Sequence, residues 1–146
     1  MITPGRYLLE LEVRVLEAVF PGTDQVPGLS REGVLPFLTM FQAQSPWAMR
    51  LALGASTLAF VLATPLTVGS LRPALLLRPE ALARHTAACA SHRVYYLRQA
   101  LLMLKTTGGF CWGADLAVRS SLSVEGYERD PLGSFPVERG RAGSAA

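Results

Sequence analysis

His85 and His92 are the only side chains in this sequence that titrate near neutral pH unaided, so acid–base or nucleophilic chemistry would have to begin with them. Cys89 follows His85 by four residues, a spacing that puts thiol and imidazole on one face of a helix. This pair is the sharpest catalytic or metal-binding candidate in the chain. Two ligands on one helical turn are still only half a zinc site, and no further Cys- or His-rich cluster supplies the rest. The expectation for His85 and Cys89 is therefore packing, and an enzyme reading would have to be built on these two residues alone. Glu10, Glu12 and Glu17 offer carboxylates in one segment, but they read as the outer, solvated face of an amphipathic helix. Gly108 and Gly109, followed by Phe110 and Cys111, have neither the Walker nor the GxGxxG spacing, and so end a helix rather than cradle a phosphate.

Arg98 and Lys105 are the next residues of interest. Seven residues on a helix return to almost the same angle, so the two flank one apolar arc. One reading has both laying their methylene stems over the core with their charges in water; the other makes them the polar rim of a partner interface. Tyr95, Tyr96, Phe110 and Trp112 nearby are of the types enriched at interface centres, though they also suit a core. The two cysteines, Cys89 and Cys111, lack CxxC spacing and read as buried thiols, a disulfide being the alternative. Cys111 stands beside the expected double-glycine break, where a partner could reach it.

Composition sets the wider bounds. A chain of 146 residues suits one ordinary domain. Half the residues are apolar and only 17% are charged, against about 25% in an average protein, a surplus that favours a partner or a membrane. The net charge of +3 is dispersed, and only one of the fourteen basic residues is Lys, which argues against a phosphate-tracking stripe and a nucleic-acid partner. The N-terminal stretch carries Glu10, Glu12 and Glu17 where a signal peptide has its apolar run, and it lacks a twin-arginine pair. Export would depend on a partner, and the expected location is cytoplasmic or membrane-associated.

The periodicity predicts an all-α bundle of five to six helices. A first helix over 6–20 ends in Pro21 and Gly22, and a loop with two PG dipeptides leads to Ser30 as an N-cap for a helix over 31–44. Ser45 and Pro46 start a third helix that Pro65 stops at Thr64. Leu51 to Leu71 carries no charge over 21 residues, just long enough to span a bilayer, so a membrane-embedded protein spanning with 51–71 is the runner-up reading. Pro79 opens an alanine-rich packing helix over 80–91. The chain is organised around a helix over 93–107, with Leu97, Ala100, Leu101 and Leu104 in one arc of about 120° and Tyr95, Tyr96, Leu102 and Met103 outside it. A helix apolar on nearly all sides is either central to the bundle or a second contact surface. Asp115 caps a short helix over 116–122; the domain covers 1–127, and 128–146 reads as a disordered tail.

In order and spacing, these features resemble the gluconate 2-dehydrogenase subunit 3 family. The resemblance covers about Leu8 to Tyr127. It rests on an opening helix ending in Phe20, Pro21 and Gly22, an LxRPEALxRH stretch from Leu76 to His85, the segment RQALLMLKTTGGF from Arg98 to Phe110, and GY at Gly126 and Tyr127. It implies a non-catalytic helical subunit, without a cofactor of its own, that binds, stabilises or matures a large FAD-dependent dehydrogenase of the glucose-methanol-choline type. The FAD and the alcohol or sugar oxidation would belong to that partner. The interface candidates are Tyr95, Arg98, Leu102, Lys105, Phe110 and Trp112. Members of the family exported by the twin-arginine route carry that signal on the small subunit, and this sequence departs from them. The uncharged 51–71 run is also more hydrophobic than the family pattern requires, which keeps membrane association open.

Overall fold

Helix α1 (Pro4–Val19) forms where apolar residues recur every three and four positions, and it buries Val13, Val15, Leu16 and Val19. The computed structural model describes residues 4–122; the GY at 126–127, the domain end at Tyr127 and the expected tail at 128–146 lie outside them. Pro21 cannot continue the helix, and the chain turns through a closed loop. Leu29 N donates to Phe20 O at 3.1 Å and Thr23 N to Val26 O at 2.9 Å. Gly28 is required there, because a Cβ on it would lie 2.3 Å from the Gly22 nitrogen.

Helix α2 (Arg31–Gln44) starts as expected, although the Ser30 side chain makes no capping bond. An ion pair ties its first residue to α1, with Arg31 donating to both oxygens of Glu10, one bond at 2.8 Å. Helix α3 (Trp47–Leu62) starts one residue later than Ser45 and Pro46 suggest: Pro46 stands outside at φ −56°, ψ 150°, and Ser45 closes α2 by donating its N–H to Phe41 O. The uncharged run is then divided. Helix α3 stops at Leu62, a four-residue helix α4 (Thr64–Thr67) follows, and Gly69 takes φ +66° to turn the chain away. Among the described residues no helix is long and apolar enough to cross a membrane.

A 3-10 turn (Ala74–Leu76) leads to α5 (Pro79–Ser91), which Pro79 opens as its sequence position implies. Helix α6 (Tyr95–Ala114) overturns one expectation. It runs straight through Gly108 and Gly109 and is 20 residues long. The reason is packing: Gly108 is buried, and a Cβ on it would lie 2.3 Å from Cε2 of Phe20, so the glycine is the seat for that ring. Tertiary contact outweighs the weak helix propensity of glycine at this point. Asp115 then ends α6 and caps α7 (Leu116–Ser121), its Oδ1 accepting from Val118 N at 3.4 Å.

Among the described residues there are seven α-helices and no strand. The six helices expected from periodicity are all present, with α4 added. Helices α3 and α6 form the most extensive pair, α1 lies across α2, α3 and α6, and α5 packs on α6. Phe60, Leu16, Leu38, Leu53 and Leu104 are fully buried at the centre, each contributing about 1.5–3 kcal/mol relative to an exposed side chain.

Candidate functional site

His85 and Cys89 sit together in the core. His85 is 0% exposed, with Nε2 at 2.9 Å from the Phe60 carbonyl and Nδ1 at 2.5 Å from the Thr67 hydroxyl. A carbonyl only accepts, so Nε2 carries the ring proton and Nδ1 accepts from Thr67. Burial holds the His85 pKa below its ordinary value, and the neutral ring packs on Phe60 with centroids 4.6 Å apart. Through these two bonds the imidazole fastens α5 to the end of α3 and to α4. The Cys89 sulfur lies 3.8 and 4.0 Å from the two ring nitrogens, and burial pushes its thiol up to about 11. A thiol in that state is not a nucleophile at neutral pH.

Cys111 is a buried thiol as expected, but the helix break expected beside it, which would expose it to a partner, is a second correction. The helix does not break beside it, the residue is buried inside α6, and burial with the nearby Asp115 charge pushes its thiol up to about 11. Both cysteines are free. No group of three or more potential metal ligands occurs among the described residues.

Glu12 is a third correction. It does not share the outer face of Glu10 and Glu17 but is 1% exposed on the core face of α1. Gln42 of α2 donates to its Oε2 at 2.7 Å, and Gly54 of α3 closes over the other oxygen, which a Cβ would approach to 3.7 Å. Desolvation pushes the carboxyl up to about 7, against the lowering effect of the Gln42 bond. A cavity of about 380 Å³ adjoins it, lined also by Trp47 and Arg50.

The remaining candidates lie on α6, which shows two faces. Leu97, Ala100, Leu101 and Leu104 are buried, as the helical wheel indicates, and Thr107, Gly108 and Cys111 extend that face along the longer helix. Opposite them Tyr95, Gln99, Leu102, Thr106 and Phe110 form an exposed stripe without a charge, Phe110 at 67% exposure, with Tyr96 at 80% on its border. Tyr95 and Tyr96 meet edge to face at 5.9 Å. Arg98 does not reach outward. Its guanidinium donates to the His92 carbonyl at 2.6 Å and lies 5.6 Å from the centre of the Tyr95 ring, fixing the entry to α6. Trp112 is also held within the fold, donating Nε1–H to the Pro27 carbonyl at 3.0 Å and so pinning the PG loop. Lys105 is exposed and turns toward α5.

The structure adds a second helix to this surface. Along α3, Ala48, Ala52, Ala55, Ala59 and Leu62 recur at intervals of four and three and line its outer side, flanked by exposed Leu51 and Leu58. Between α3 and α6 runs a cleft of about 430 Å³ whose lining includes Ala52, Ala55, Ala59, Tyr96, Gln99 and Met103, with no charged group among the described residues. The four–three spacing of alanines in an uncharged run was the available signal. It is easily read as bilayer span or bundle core, because periodicity does not reveal which of two apolar faces stays open. Compared with known protein families, with curated proteins and with solved structures, the chain shows no match.

Proposed function

We propose that this chain is a non-catalytic helical subunit that binds a larger partner through the joint α3–α6 face. The observation that carries the reading is this open surface: Leu58 and Leu62 of α3 and Tyr96, Leu102 and Phe110 of α6 are all exposed, and an alanine-lined cleft bordered by Tyr96 runs between the two helices. Contiguous apolar surface of this kind is rare on a free monomer and typical of a contact site. The aromatic and aliphatic anchors around a groove of small residues fit an apolar helix or loop of the partner. On the resemblance, that partner is an FAD-dependent dehydrogenase of the glucose-methanol-choline type, which would hold the flavin and perform the oxidation. His85 agrees with a structural role for the one Cys–His pair, since both ring nitrogens are bonded within the fold.

The test is co-expression with a glucose-methanol-choline-type flavoprotein from the same genome, followed by co-purification. Tyr95→Glu with Leu102→Lys on α6, and separately Leu58→Glu with Leu62→Lys on α3, should each abolish co-purification while making the lone subunit more soluble. Circular dichroism and melting temperature should stay close to those of the parent. Variants that melt well below the parent would place these residues in the core, and variants that remain soluble and still co-purify would move the interface elsewhere. A parent chain that does not co-purify with the FAD enzyme, but binds a flavin-free protein through a face these variants destroy, would leave the docking face standing and remove the dehydrogenase assignment.

A further inference from the structure

The one lysine of the chain borders a cleft on the other side of α6, between the end of α1 and α5. The cleft holds about 450 Å³, a size that accommodates a small organic ligand. Its floor is the open side of α5, where Ala83, Ala87 and Ala90 are exposed at intervals of four and three. Pro21 and Pro79 lie on its lining, each with φ fixed by its ring, so these two edges lose little freedom on binding. Among the described residues, the lining contains no aromatic ring and no carboxylate. Of the described lining residues, Thr86 carries the one hydroxyl, which donates to the Leu82 carbonyl at 3.0 Å, and Lys105 is the one free polar donor. Among the described residues, Lys105 has no hydrogen bond or ion pair. Its ammonium can therefore stand at the mouth of an aliphatic cleft while its stem follows the wall.

We infer that this cleft is a binding site for a free alkyl carboxylate, its chain lying along Ala83, Ala87 and Ala90 and its headgroup meeting Lys105. A single cation beside a purely aliphatic lining matches a ligand with one anionic end and a saturated tail. An aromatic ligand would find no ring to stack on. The inference is independent of the α3–α6 docking surface, because Lys105 and α5 lie on the opposite flank of the exposed α6 stripe.

Isothermal titration of the full chain with hexanoate, heptanoate and octanoate tests the proposal, with octanol as the uncharged control. Affinity should rise about fourfold per added methylene, the factor expected for burial of a CH₂ group. Octanoate should bind more tightly than octanol, and Lys105→Met should remove that preference, lowering octanoate affinity up to about fivefold with no effect on octanol. Ala87→Leu, which fills the exposed floor without disturbing the core, should weaken every ligand at least tenfold; Ala83→Leu is the second variant should the first alter the helical spectrum. Absence of saturable binding, equal affinity for octanol and octanoate, or octanoate binding unchanged in both filled variants would each overturn the site. Tighter binding of a peptide ending in an aliphatic residue than of octanoate would also overturn it, by assigning the cleft to a protein terminus.

Discussion

Replacing Glu12 with glutamine should convert a pH-dependent stability difference into a direct reading of a buried carboxyl. The folded chain holds Glu12 at about 7, against an ordinary 4.5, because α1, α2 and α3 exclude water from it. A carboxyl raised in the folded state binds its proton more tightly there than in the unfolded chain. Stability is then greatest at low pH, falls as the unfolded form ionises above 4.5, and levels off once the folded form has ionised above about 7. A shift of that size corresponds to about 3 kcal/mol; solvent reaching the adjoining cavity screens part of it, leaving roughly 1–2 kcal/mol. The amide side chain of Glu12→Gln would have the same shape, keep an acceptor for Gln42 and never ionise. Urea unfolding of parent and variant at pH 4, 5.5, 7 and 8 should give equal stabilities at pH 4 and a variant more stable by about 1–2 kcal/mol at pH 8. His85 acts with the opposite sign. Its lowered pKa favours the neutral folded form, a contribution present above the unfolded value of 6.5 and lost as pH falls through the lowered one. Subtracting parent from variant cancels that term. A difference that does not change with pH would refute the buried-carboxyl argument, and a variant less stable at pH 8 would mean that Arg50, which lines the same cavity, pairs with the carboxylate.

Two further changes test the packing. Gly109→Ala should stabilise the chain by up to about 1 kcal/mol, since α6 runs through Gly109 and nothing lies within 4 Å of an added Cβ, whereas Gly108→Ala should destabilise it by about 1–3 kcal/mol by displacing Phe20; thermal melts that rank the two the other way would restore a helix break at this pair. Thr57 is fully buried in α3, its hydroxyl without a partner among the described residues, so Thr57→Val should be neutral or stabilising by about 1 kcal/mol in urea titrations, and a loss above 1 kcal/mol would show that the hydroxyl has a partner in solution.

The elements were legible in the sequence because each carries a local signal. Apolar periodicity marks α1 and α6, Pro79 opens α5, and Asp115 caps α7. The double glycine was misleading because its meaning is not local. Gly108 answers to Phe20, 88 positions earlier, and nothing in the segment 105–110 announces that ring. Glu12 could have been placed correctly. At 100° per residue it falls within the arc of Leu8, Val15, Leu16 and Val19, while Glu10 and Glu17 fall opposite, so the wheel put it in the core and only the polarity of the residue argued otherwise. For the candidate site, the sequence located apolar surplus on α6 but did not show that α3 turns a matching face outward beside it. It also did not show that Arg98 and Trp112 are held by the carbonyls of His92 and Pro27.

Those two corrections bear on how docking would act. Arg98 fixes the entry to α6, and Trp112 ties its far end to the PG loop, so the stripe from Tyr95 to Phe110 is presented on a helix anchored near both ends. An anchored face loses little conformational freedom on binding, and more of its contact energy appears as affinity. Helix α3 has such a tie at one end only, the His85 bond to the Phe60 carbonyl, and its buried Thr57 hydroxyl has no partner among the described residues. A partner that binds only the folded chain stabilises it in proportion to the logarithm of partner concentration over dissociation constant. Under the proposed docking, that stabilisation should be felt most where the lone chain opens most readily. Hydrogen exchange of the free chain and of the proposed complex distinguishes the two helices: protection should increase strongly along Trp47–Leu62 and little along Tyr95–Ala114. Equal gains in both helices would mean that α6 is not pre-organised, and no gain in α3 would confine the contact to α6.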